Sequence, residues 1–551
     1  MLNSLRKAQL YFHTLRYLKP VQIWGRLTFL SARPKLDLSQ APLRANYSGP
    51  WHMPAKRLSS MTNAHSWVFL NVPGCLSELG WDGPQREKLW RYNQHYFDDL
   101  NALSARERFP WHETLIKRWV DDNPPAKGVG WEPYPTSLRI VNWVKWALAG
   151  NKLSEPCIQS LAVQARWLSK RLEIHLQGNH LFANAKALVF VGLFFEGQEA
   201  AGWLCAGFKI LERQIAEQIL SDGGHFERST MYHALAYEDM LDLVNVTSAF
   251  PEVCHPWAER ISAWPEITKK MGHWLSVMCH PDEGISHFND TAFGIAPESS
   301  ELFAYAARLN CAPPRVYENV VHLEASGYIR VSAGDAVLLI DAAPVGPDYL
   351  PGHAHADTLS FELSLCGQRV VVNGGTSRYG KGYLRDKERG TAAHSTVEIN
   401  RQNSSEVWAG FRVARRANPF DVTIKRDGAR VIVDAAHDGY KRLAGRPIHR
   451  RRWILGDCYL EVVDYIEGRF DEAVARIHFH PDVRIEADGL NGGLSWIGGA
   501  ATWRAQAAAV QMTESEWHPK FGVSVKAESL ELRIDPRVTA QFSSRFALYW
   551  R

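Results

Sequence analysis

The apolar periodicity of this 551-residue chain changes once, near Pro313, and that change constrains the fold more than any other feature. From about residue 89 to residue 309, apolar residues recur at three- and four-residue spacing, which is typical of helices. This spacing predicts helices at residues 137–149, 158–172, 181–195, 200–220 and 232–250. Later residues alternate or run β-branched, which predicts strands at 327–332, 336–341, 358–372, 396–400, 422–424, 431–435, 452–465 and 473–480.

Helical segments followed by strands, without alternation along the chain, disfavour a parallel βαβ sheet and favour two layered domains. We expect an α+β multidomain protein in which a helix array precedes an antiparallel β-sandwich. The predicted boundaries are residues 1–84 for an N-terminal cap segment, 85–312 for the helical domain and 313–551 for the sandwich.

The charge balance and the cysteine pattern exclude several kinds of function. With 63 Lys and Arg against 59 Asp and Glu, the net charge is only +4, whereas a nucleic-acid-binding domain is usually clearly basic. The eight cysteines form no CxxC pair, so neither a zinc knuckle nor a dithiol redox site is expected. The 21 Trp residues suit a cleft that stacks on sugar rings, although a large helical core also uses Trp.

The first residues of the chain carry no signal-peptide pattern, because charged residues interrupt the apolar ones. The longest apolar stretch, residues 187–195, is too short to span a bilayer as a helix. We therefore expect no transmembrane segment and a cytoplasmic protein, with a periplasmic location as the alternative. The sequence does not indicate the oligomeric state.

Two short polar motifs lie between predicted helices. In the first, residues 177–180 (QGNH), Gly178 suits a helix terminus and Asn179 would cap the next helix. An Asn amide can donate to a carboxylate, and a His can donate or accept. The second motif, residues 222–233, contains a Gly pair that marks a turn before the helix bearing Tyr232. A capping Asn and an aromatic core contact are the structural alternatives for these residues.

The third motif has the most unusual composition. Residues 352–357 read GHAHAD, and strand alternation would place His353, His355 and Asp357 on one face. Two imidazoles beside a carboxylate suit metal binding or proton transfer, while three polar residues on a solvated face are the structural alternative. His394 precedes a later predicted strand.

Further aromatic and polar side chains near helix starts and turns are candidate substrate contacts. Residues 131–142 put aromatic rings and an Arg at a helix start, which suits a sugar subsite or, equally, a packing cluster between helices. The candidates are Trp131, Tyr134, Arg139, Asn142, His225, Glu227 and Asn289.

The order of these motifs resembles that of the heparinase II/III-like polysaccharide lyases. GNH in the helical half, GGHFERSTMYH further on, and GHAHADTLSF, VNGG and AHSTV in the strand half follow one another over roughly residues 92–408. The resemblance implies an incomplete (α/α) toroid joined to the sandwich. It also implies an enzyme that cleaves a uronic-acid-containing anionic polysaccharide by β-elimination, without indicating which sugar.

β-Elimination needs a group that neutralises the uronate carboxylate, a base for the C5 proton and an acid for the O4 leaving group. By resemblance, Asn179 and His180 would bind the carboxylate. Tyr232 would be the main proton-transfer residue, as acid and also as base, and His353 would be the partner base or an orienting group. Which of the two takes the proton depends on the configuration of the uronate.

The resemblance also assigns roles to other side chains. Tyr379 and Tyr383, in the loop after VNGG, are further phenol candidates that would contact substrate. His355 and His394 resemble ligands of a structural zinc that some relatives hold. Those relatives have an Asp where this chain has Asn373, and a neutral amide is a poorer ligand than a carboxylate. We therefore expect no required cofactor, and Asn373 argues against a structural zinc.

Two other functions stay open at this level. A glycoside hydrolase on the same scaffold needs two carboxyl groups that flank one bond, for which Glu227, Asp239 and Asp290 are available. A glycan-binding or assembly protein without catalytic activity needs only the scaffold. Because no export signal is evident, we expect a glycan made by the same cell, in surface or exopolysaccharide metabolism.

Overall fold

A computed structural model describes residues 2–537 and 543–551 of the chain. Helices occupy most of the first 308 residues. They are α1 (Leu2–Leu15), α2 (Pro20–Ser31), α3 (Leu76–Leu79), α4 (Lys88–Gln94), α5 (Phe109–Asp122), α6 (Pro133–Leu148), α7 (Glu155–Ser169), α8 (Gly178–Phe194), α9 (Gln198–Gln218), α10 (Thr230–Ala249), α11 (Pro251–Cys254), α12 (Ala258–Ile261), α13 (Trp264–Met278) and α14 (Ser299–Arg308).

Strands dominate from Val320 onwards, after a small sheet formed by β1 (Met61–Asn63), β2 (Ser66–Phe69) and β3 (Val72–Cys75). The later elements are β4 (Val320–Leu323), β5 (Tyr328–Ala333), β6 (Ala336–Asp341), β7 (Phe361–Leu365), β8 (Gln368–Val371), α15 (Tyr383–Glu388), β9 (Val397–Ile399), β10 (Val407–Trp408), β11 (Arg412–Val413), β12 (Pro419–Asp427), β13 (Arg430–His437), β14 (Ile448–Gly456), β15 (Tyr459–Glu467), β16 (Ala473–His478), β17 (Arg484–Asp488), β18 (Asn491–Trp496), β19 (Gly499–Gln506), β20 (Ala509–Trp517), β21 (Val525–Ile534) and β22 (Ser544–Trp550).

The helical half is an incomplete (α/α) toroid. α8 lies at its centre and packs against α6, α7, α9 and α10. Because neighbours surround α8, every residue from Leu181 to Phe194 is buried, and no polar stripe is needed on this helix. The predicted fold class, helices followed by an antiparallel sandwich, is confirmed.

The strand half consists of antiparallel sheets packed face to face. The largest has the strand order β12-β13-β14-β15-β22-β19-β18-β17, and two smaller ones have the orders β20-β21-β16-β9 and β4-β5-β6-β7-β8. Trp453 on β14, Leu530 on β21 and Phe361 on β7 belong to one buried cluster, so all three sheets share a core.

Some sequence predictions about elements were wrong. Residues 358–372 and 452–465 were each predicted as one strand, but each contains parts of two, β7 and β8 in the first and β14 and β15 in the second. Their turns at Cys366-Gly367 and Asp457-Cys458 lack a run of polar residues that would mark a break. The cap segment also holds the small β1–β3 sheet, which was not predicted; its Trp67 and Phe69 pack against Trp81 and Trp90.

A separate apolar cluster joins the two halves. Trp274 and Met278 on α13 pack with Phe288, with Tyr328 on β5 and with Leu339 on β6. This cluster fixes the loop 280–298 between toroid and sandwich, and that loop enters the candidate site. Among helices in the described ranges, none combines the length and apolar character needed to cross a bilayer.

Candidate active site

The start of α8 is shaped by a tight turn. Gln177 has φ +60° and Gly178 has φ +55°. A Cβ on Gly178 would lie 2.4 Å from Leu350 Cδ2, so the position requires glycine. Asn179 follows in the first helical turn and lines a cleft, but no side chain caps α8, so the prediction of a capping Asn179 was wrong. Its amide therefore faces the cleft instead of the helix end.

His180 lies beside Asn179 with its ring against Tyr134, at a centroid separation of 4.5 Å. Its Nδ1 lies 3.2 Å from Glu173 Oε1. Burial lowers the pKa of His180, but the Glu173 carboxylate outweighs burial and raises the pKa above its usual value. A more cationic His180 beside the Asn179 amide suits the binding of an anionic group.

Tyr232 is held in the first turn of α10. Ser229 caps that helix by accepting a hydrogen bond from the Tyr232 backbone N–H at 3.1 Å. The Tyr232 hydroxyl lies 2.9 Å from the Tyr379 hydroxyl, and its ring stacks on His353 at 3.8 Å between centroids. Burial, with the Tyr379 hydroxyl next in effect, raises the pKa of Tyr232 well above its usual value, so the phenol keeps its proton.

Asp290 orients His353. His353 Nδ1 lies 2.8 Å from Asp290 Oδ2, and Arg385 holds the same carboxylate through both terminal nitrogens, with Nη2 2.6 Å from Oδ2. Burial alone would raise the pKa of Asp290, but Arg385 and the hydrogen bonds from two His side chains hold it well below its usual value. An ionised Asp290 favours the proton on His353 Nδ1 and leaves a lone pair on Nε2.

Glu227 faces the other side of the same imidazole. Its Oε2 lies 3.6 Å from His353 Nε2, and its side chain is 1% exposed. The Asn179 backbone amide is close, but neither Glu227 oxygen has a partner in hydrogen-bonding geometry within the described residues. Burial is the main cause that raises the pKa of Glu227 above its usual value.

Three of the predicted catalytic residues, Asn179, Tyr232 and His353, lie at or beside one cleft. Asn179, Tyr232, Tyr134 and His225 line one cleft, and His353 reaches it through its stack on Tyr232. The remaining lining residues are Phe182, Gln218, Leu235, Ala236 and Asp239. The structure therefore places Asn179 and Tyr232 of the helical half beside His353 of the strand half.

The HxHxD motif is not a strand. Residues 353–357 are irregular, so the face predicted from strand alternation does not exist. His353 and His355 nevertheless meet on one carboxylate, because Asp290 binds His353 Nδ1 at 2.8 Å and His355 Nε2 at 2.9 Å. Asp357 Oδ2 accepts the backbone N–H of Asn289 at 3.0 Å.

A buried three-residue group beside this network has the donors of a metal site. His355 Nδ1 and His394 Nε2 are 3.2 Å apart, and each of the two rings has a nitrogen within 4.8 Å of an Asp357 carboxylate oxygen. Two nitrogens bound tetrahedrally to zinc would be about 3.4 Å apart. Burial lowers the pKa of His355 to about 4 and holds the pKa of His394 well below its usual value, so both rings are neutral, as ligands must be. Asn373 Oδ1 lies 3.3 Å from His394 Nδ1, the nitrogen that faces away from this group.

Three predicted substrate contacts lie in the helical core instead. Trp131 is 3% exposed and packs against Trp119. Arg139 is fully buried, with its guanidinium 3.7 Å from the centre of the Trp119 ring and its Nε donating to Gln164. Asn142 is buried and its amide donates to backbone and carboxylate oxygens of the preceding segment. For these three residues the packing alternative is correct, whereas Tyr134 of the same segment lines the cleft.

Two more predicted contacts do not line the cleft. Asn289 is buried and its amide donates to Tyr328 and to a backbone oxygen, while its own oxygen accepts the His355 backbone N–H. It therefore positions His355. Tyr383 starts α15, is 80% exposed to solvent and is not among the residues that line the cleft.

The sequence identified Asp290 only as a candidate hydrolase carboxyl, not as the partner of His353, and it did not identify Arg385. Asp290 directly follows Asn289, and the sequence analysis predicted Asn289 as a substrate contact. Arg385 lies on α15, in a segment for which the sequence predicted only Tyr379 and Tyr383 as site residues. Asp290 lies 63 residues from His353 and 65 residues from His355 in sequence, so no local pattern marks it as their partner, and none marks Arg385.

The comparisons with known proteins agree with this arrangement. The family described as "Heparinase II/III N-terminus" matches residues 118–304, and "Heparinase II/III-like, C-terminal" matches residues 316–546. A heparin-sulfate lyase from Bacteroides stercoris is 26% identical over 323 residues, which are 53% of this chain and 44% of that protein. FtsZ-localized protein C from Caulobacter vibrioides is 26% identical over 414 residues, which are 69% of this chain and 67% of that protein.

Solved structures show the same fold. The crystal structure of heparinase III matches with a TM-score of 0.69 at 17% identity, over 97% of this chain and 85% of that one. In sequence, the match spans 37 to 49% of the length of the curated heparin-sulfate lyases, less than half of each.

Proposed function

This chain belongs to the heparinase II/III-like family, and on that premise we propose that it is a polysaccharide lyase. Its substrate would be a uronic-acid-containing anionic glycan of the glycosaminoglycan type, cleaved by β-elimination. The observation that carries this proposal is that Asn179 and Tyr232 line one cleft of the helical half and that His353 of the strand half stacks on Tyr232 beside it.

The Asn179 amide and a positively charged His180 would bind the uronate carboxylate. Charge moves onto that carboxylate when the C5 proton leaves, so donors placed there stabilise the transition state more than the ground state. Glu173 supports this role because it raises the pKa of His180.

His353 would be the base and Tyr232 the acid. The ionised Asp290 keeps the proton on His353 Nδ1, which leaves Nε2 to accept one. The raised pKa of Tyr232 keeps its phenol protonated, so that it can donate to the O4 leaving group. A uronate with a nitrophenyl ether at O4 tests this division, since nitrophenolate is a leaving group that departs without an acid. It would restore turnover in Tyr232→Phe but not in His353→Ala; restoration in both or in neither contradicts the assignment.

The proposal is tested by incubating the protein with a panel of uronate polymers and following the ultraviolet absorbance of the unsaturated product. Tyr232→Phe should abolish the signal. Tyr237→Phe is the matched control, because Tyr237 is on the same helix, fully buried, and its hydroxyl has no hydrogen-bond partner within the described residues. A complete panel without unsaturated product would reject the lyase, and saturated reducing ends would indicate a hydrolase.

The hydrolase is disfavoured by the state of its candidate carboxyls. Asp290 is bound by Arg385 and two imidazoles, and Asp239 is bound by Lys186 at 2.7 Å. Only Glu227 is left without such a partner, whereas glycoside hydrolysis needs two available carboxyl groups.

A second candidate function is an assembly role without catalysis. One observation favours it. The sequence match to FtsZ-localized protein C covers 69% of this chain, whereas the match to the Bacteroides stercoris heparin-sulfate lyase covers 53%. This function predicts binding to an anionic polymer with unchanged polymer length, and binding that Tyr232→Phe does not alter. A cytoplasmic location and a link to surface polysaccharide stay predictions, which cell fractionation and polymer analysis of a deletion strain would test.

We also propose that His355, His394 and Asp357 can hold a structural zinc ion. The sequence argument against zinc assumed that Asn373 would be a ligand, but the geometry supports Asn373 as an orienting partner of His394. Such an ion would tie residues 353–357 to the segment that carries His394, and it would take no part in proton transfer. Metal analysis after dialysis should give one zinc per chain in the wild type and none in His394→Ala; no zinc in the wild type would restore the original expectation.

A further inference from the structure

The first two helices present apolar faces to solvent. On α1 the exposed large side chains are Leu5, Phe12 and Leu15, which repeat at seven and three residues and so share one face. On α2 they are Val21, Ile23, Trp24, Leu27 and Leu30, with Trp24 68% exposed and Leu30 61% exposed. Single exposed apolar residues are ordinary, but two aligned faces in succession are not.

The opposite faces attach both helices to the body. Tyr11 on α1 packs edge-on against Trp408, at 4.9 Å between ring centroids. Phe29 on α2 lies 4.4 Å from the His175 ring centroid, and a Cβ on Gly25 would lie 3.0 Å from the His175 backbone nitrogen. The helices are therefore held in place with their apolar faces outward, because the inner faces are already packed.

The same segment is strongly basic. Residues 1–36 contain seven Lys and Arg and no Asp or Glu, although the whole chain has a net charge of only +4. Lys19 is bound by Glu217. The other six are exposed: Arg6, Lys7, Arg16, Arg26, Arg33 and Lys35.

We propose that α1 and α2 bind the surface of an anionic phospholipid bilayer. Helices with an apolar face and flanking Lys and Arg lie in the plane of the lipid interface, where the apolar side chains enter the acyl boundary and the cations contact phosphate headgroups. A nucleic acid would use the cations but not the apolar faces. An apolar protein surface would use the faces but not seven positive charges without a negative one.

This contact would place the cleft near the membrane. α1 packs against the β10–β11 hairpin, and Phe411 between those strands lies 5.4 Å from Tyr379 and 6.2 Å from His353, measured between ring centroids. Because the hairpin joins the helix to the site, a glycan presented at the membrane surface would lie close to the cleft. Lipid binding itself does not depend on the proposed lyase activity.

The test uses the full chain in co-sedimentation with vesicles. Vesicles of phosphatidylcholine alone are compared with vesicles that contain one third phosphatidylglycerol. We expect at least about tenfold stronger partition into the anionic vesicles, reduced by salt, since each basic residue near the surface contributes about 1 kcal/mol. Trp24→Glu with Leu27→Glu should reduce that partition by about tenfold or more.

Two further variants make the result specific. Arg6→Glu with Arg26→Glu should remove the preference for anionic lipid and leave the thermal unfolding unchanged, because both side chains are exposed. Ile497→Glu is the matched control, since Ile497 is 95% exposed on the β18–β19 turn and should not change partition.

The proposal would be overturned by equal binding to both vesicle types, by no binding to either, or by wild-type binding of the Trp24 and Leu27 variant. A dimer that depends on Trp24 in the absence of vesicles would also overturn it. The lyase assay is separate, so failure of one proposal does not imply failure of the other.

Discussion

Asp290 joins more of the candidate site than any other side chain described here. It is fully buried, yet its two oxygens accept from His353, His355 and Arg385. A buried carboxylate is stable only when charge and hydrogen bonds compensate its desolvation, and this one orients the proposed base at the same time.

Asp290→Asn should therefore lower both activity and stability. The variant keeps the shape but leaves the Arg385 cation buried without a negative charge, which costs about 3–5 kcal/mol. Loss of the carboxylate also removes the preference for the Nδ1 proton on His353, and we expect kcat to fall by about a hundredfold or more. Asp282→Asn is the control, because it breaks another Asp–Arg pair, with Arg369, outside the cleft. Full activity in Asp290→Asn would contradict the role of His353 as base.

Glu227 gives a prediction about how the stability of the protein depends on pH. Because burial raises its folded pKa above the unfolded value, the stability it contributes is present at low pH and is lost as the pH rises through the folded pKa. Glu227→Gln stays neutral, so its thermal unfolding temperature should gain on the wild type as the pH rises above the ordinary pKa of a Glu side chain.

Glu113→Gln removes the same formal charge from a side chain that is 45% exposed, and is the control for this measurement. Unfolding temperatures of wild type and Glu227→Gln that change in parallel with pH would show that the buried carboxyl is compensated by a partner. The same series followed by activity separates stability from function, because Glu227 faces the ring of His353.

At the scale of elements, the turn before α8 controls where Asn179 and His180 lie. Gly178→Ala would put a Cβ 2.4 Å from Leu350 and 3.0 Å from Glu227 in a left-handed conformation. We expect a loss of about 1–2 kcal/mol in stability from the backbone alone, and a rise in KM as the carboxylate-binding pair shifts. Gly202→Ala, on the exposed side of α9 with open space around it, should be neutral or slightly stabilising. Unchanged KM in Gly178→Ala would exclude a role for the turn in substrate binding.

The elements also show what the sequence can and cannot predict. The long helices were predicted within a few residues, α8 at 181–195 against Gly178–Phe194, because their apolar spacing is continuous. The β7–β8 and β14–β15 pairs were merged, since buried strands on both sides of a two-residue turn read as one apolar run. Asn179, Tyr232 and His353 were identified from motif order. Arg385 was not, because its partner Asp290 is far away in sequence and only the fold brings them together.

At the scale of the whole molecule, the site exists only while the two halves stay in contact. The apolar cluster around Trp274 links them, and Trp274 also packs 4.2 Å from the ring of His233, the neighbour of Tyr232. Its indole N–H donates to Ser326 Oγ at 2.8 Å, so the contact is both apolar and polar. Any loosening of this cluster should therefore separate Tyr232 from His353.

Trp274→Ala tests that coupling. Removal of a fully buried Trp costs about 3–5 kcal/mol, and here the loss falls on the contact between toroid and sandwich. We expect calorimetry to resolve two unfolding transitions where the wild type shows coupled unfolding, and activity to be lost at temperatures where both halves remain folded. Trp453→Ala removes an equally buried ring inside the sandwich and should lower the sandwich transition without separating the halves. If Trp274→Ala unfolds in one transition and keeps its activity up to that temperature, the two halves are held together by contacts other than this cluster, and the site does not depend on it.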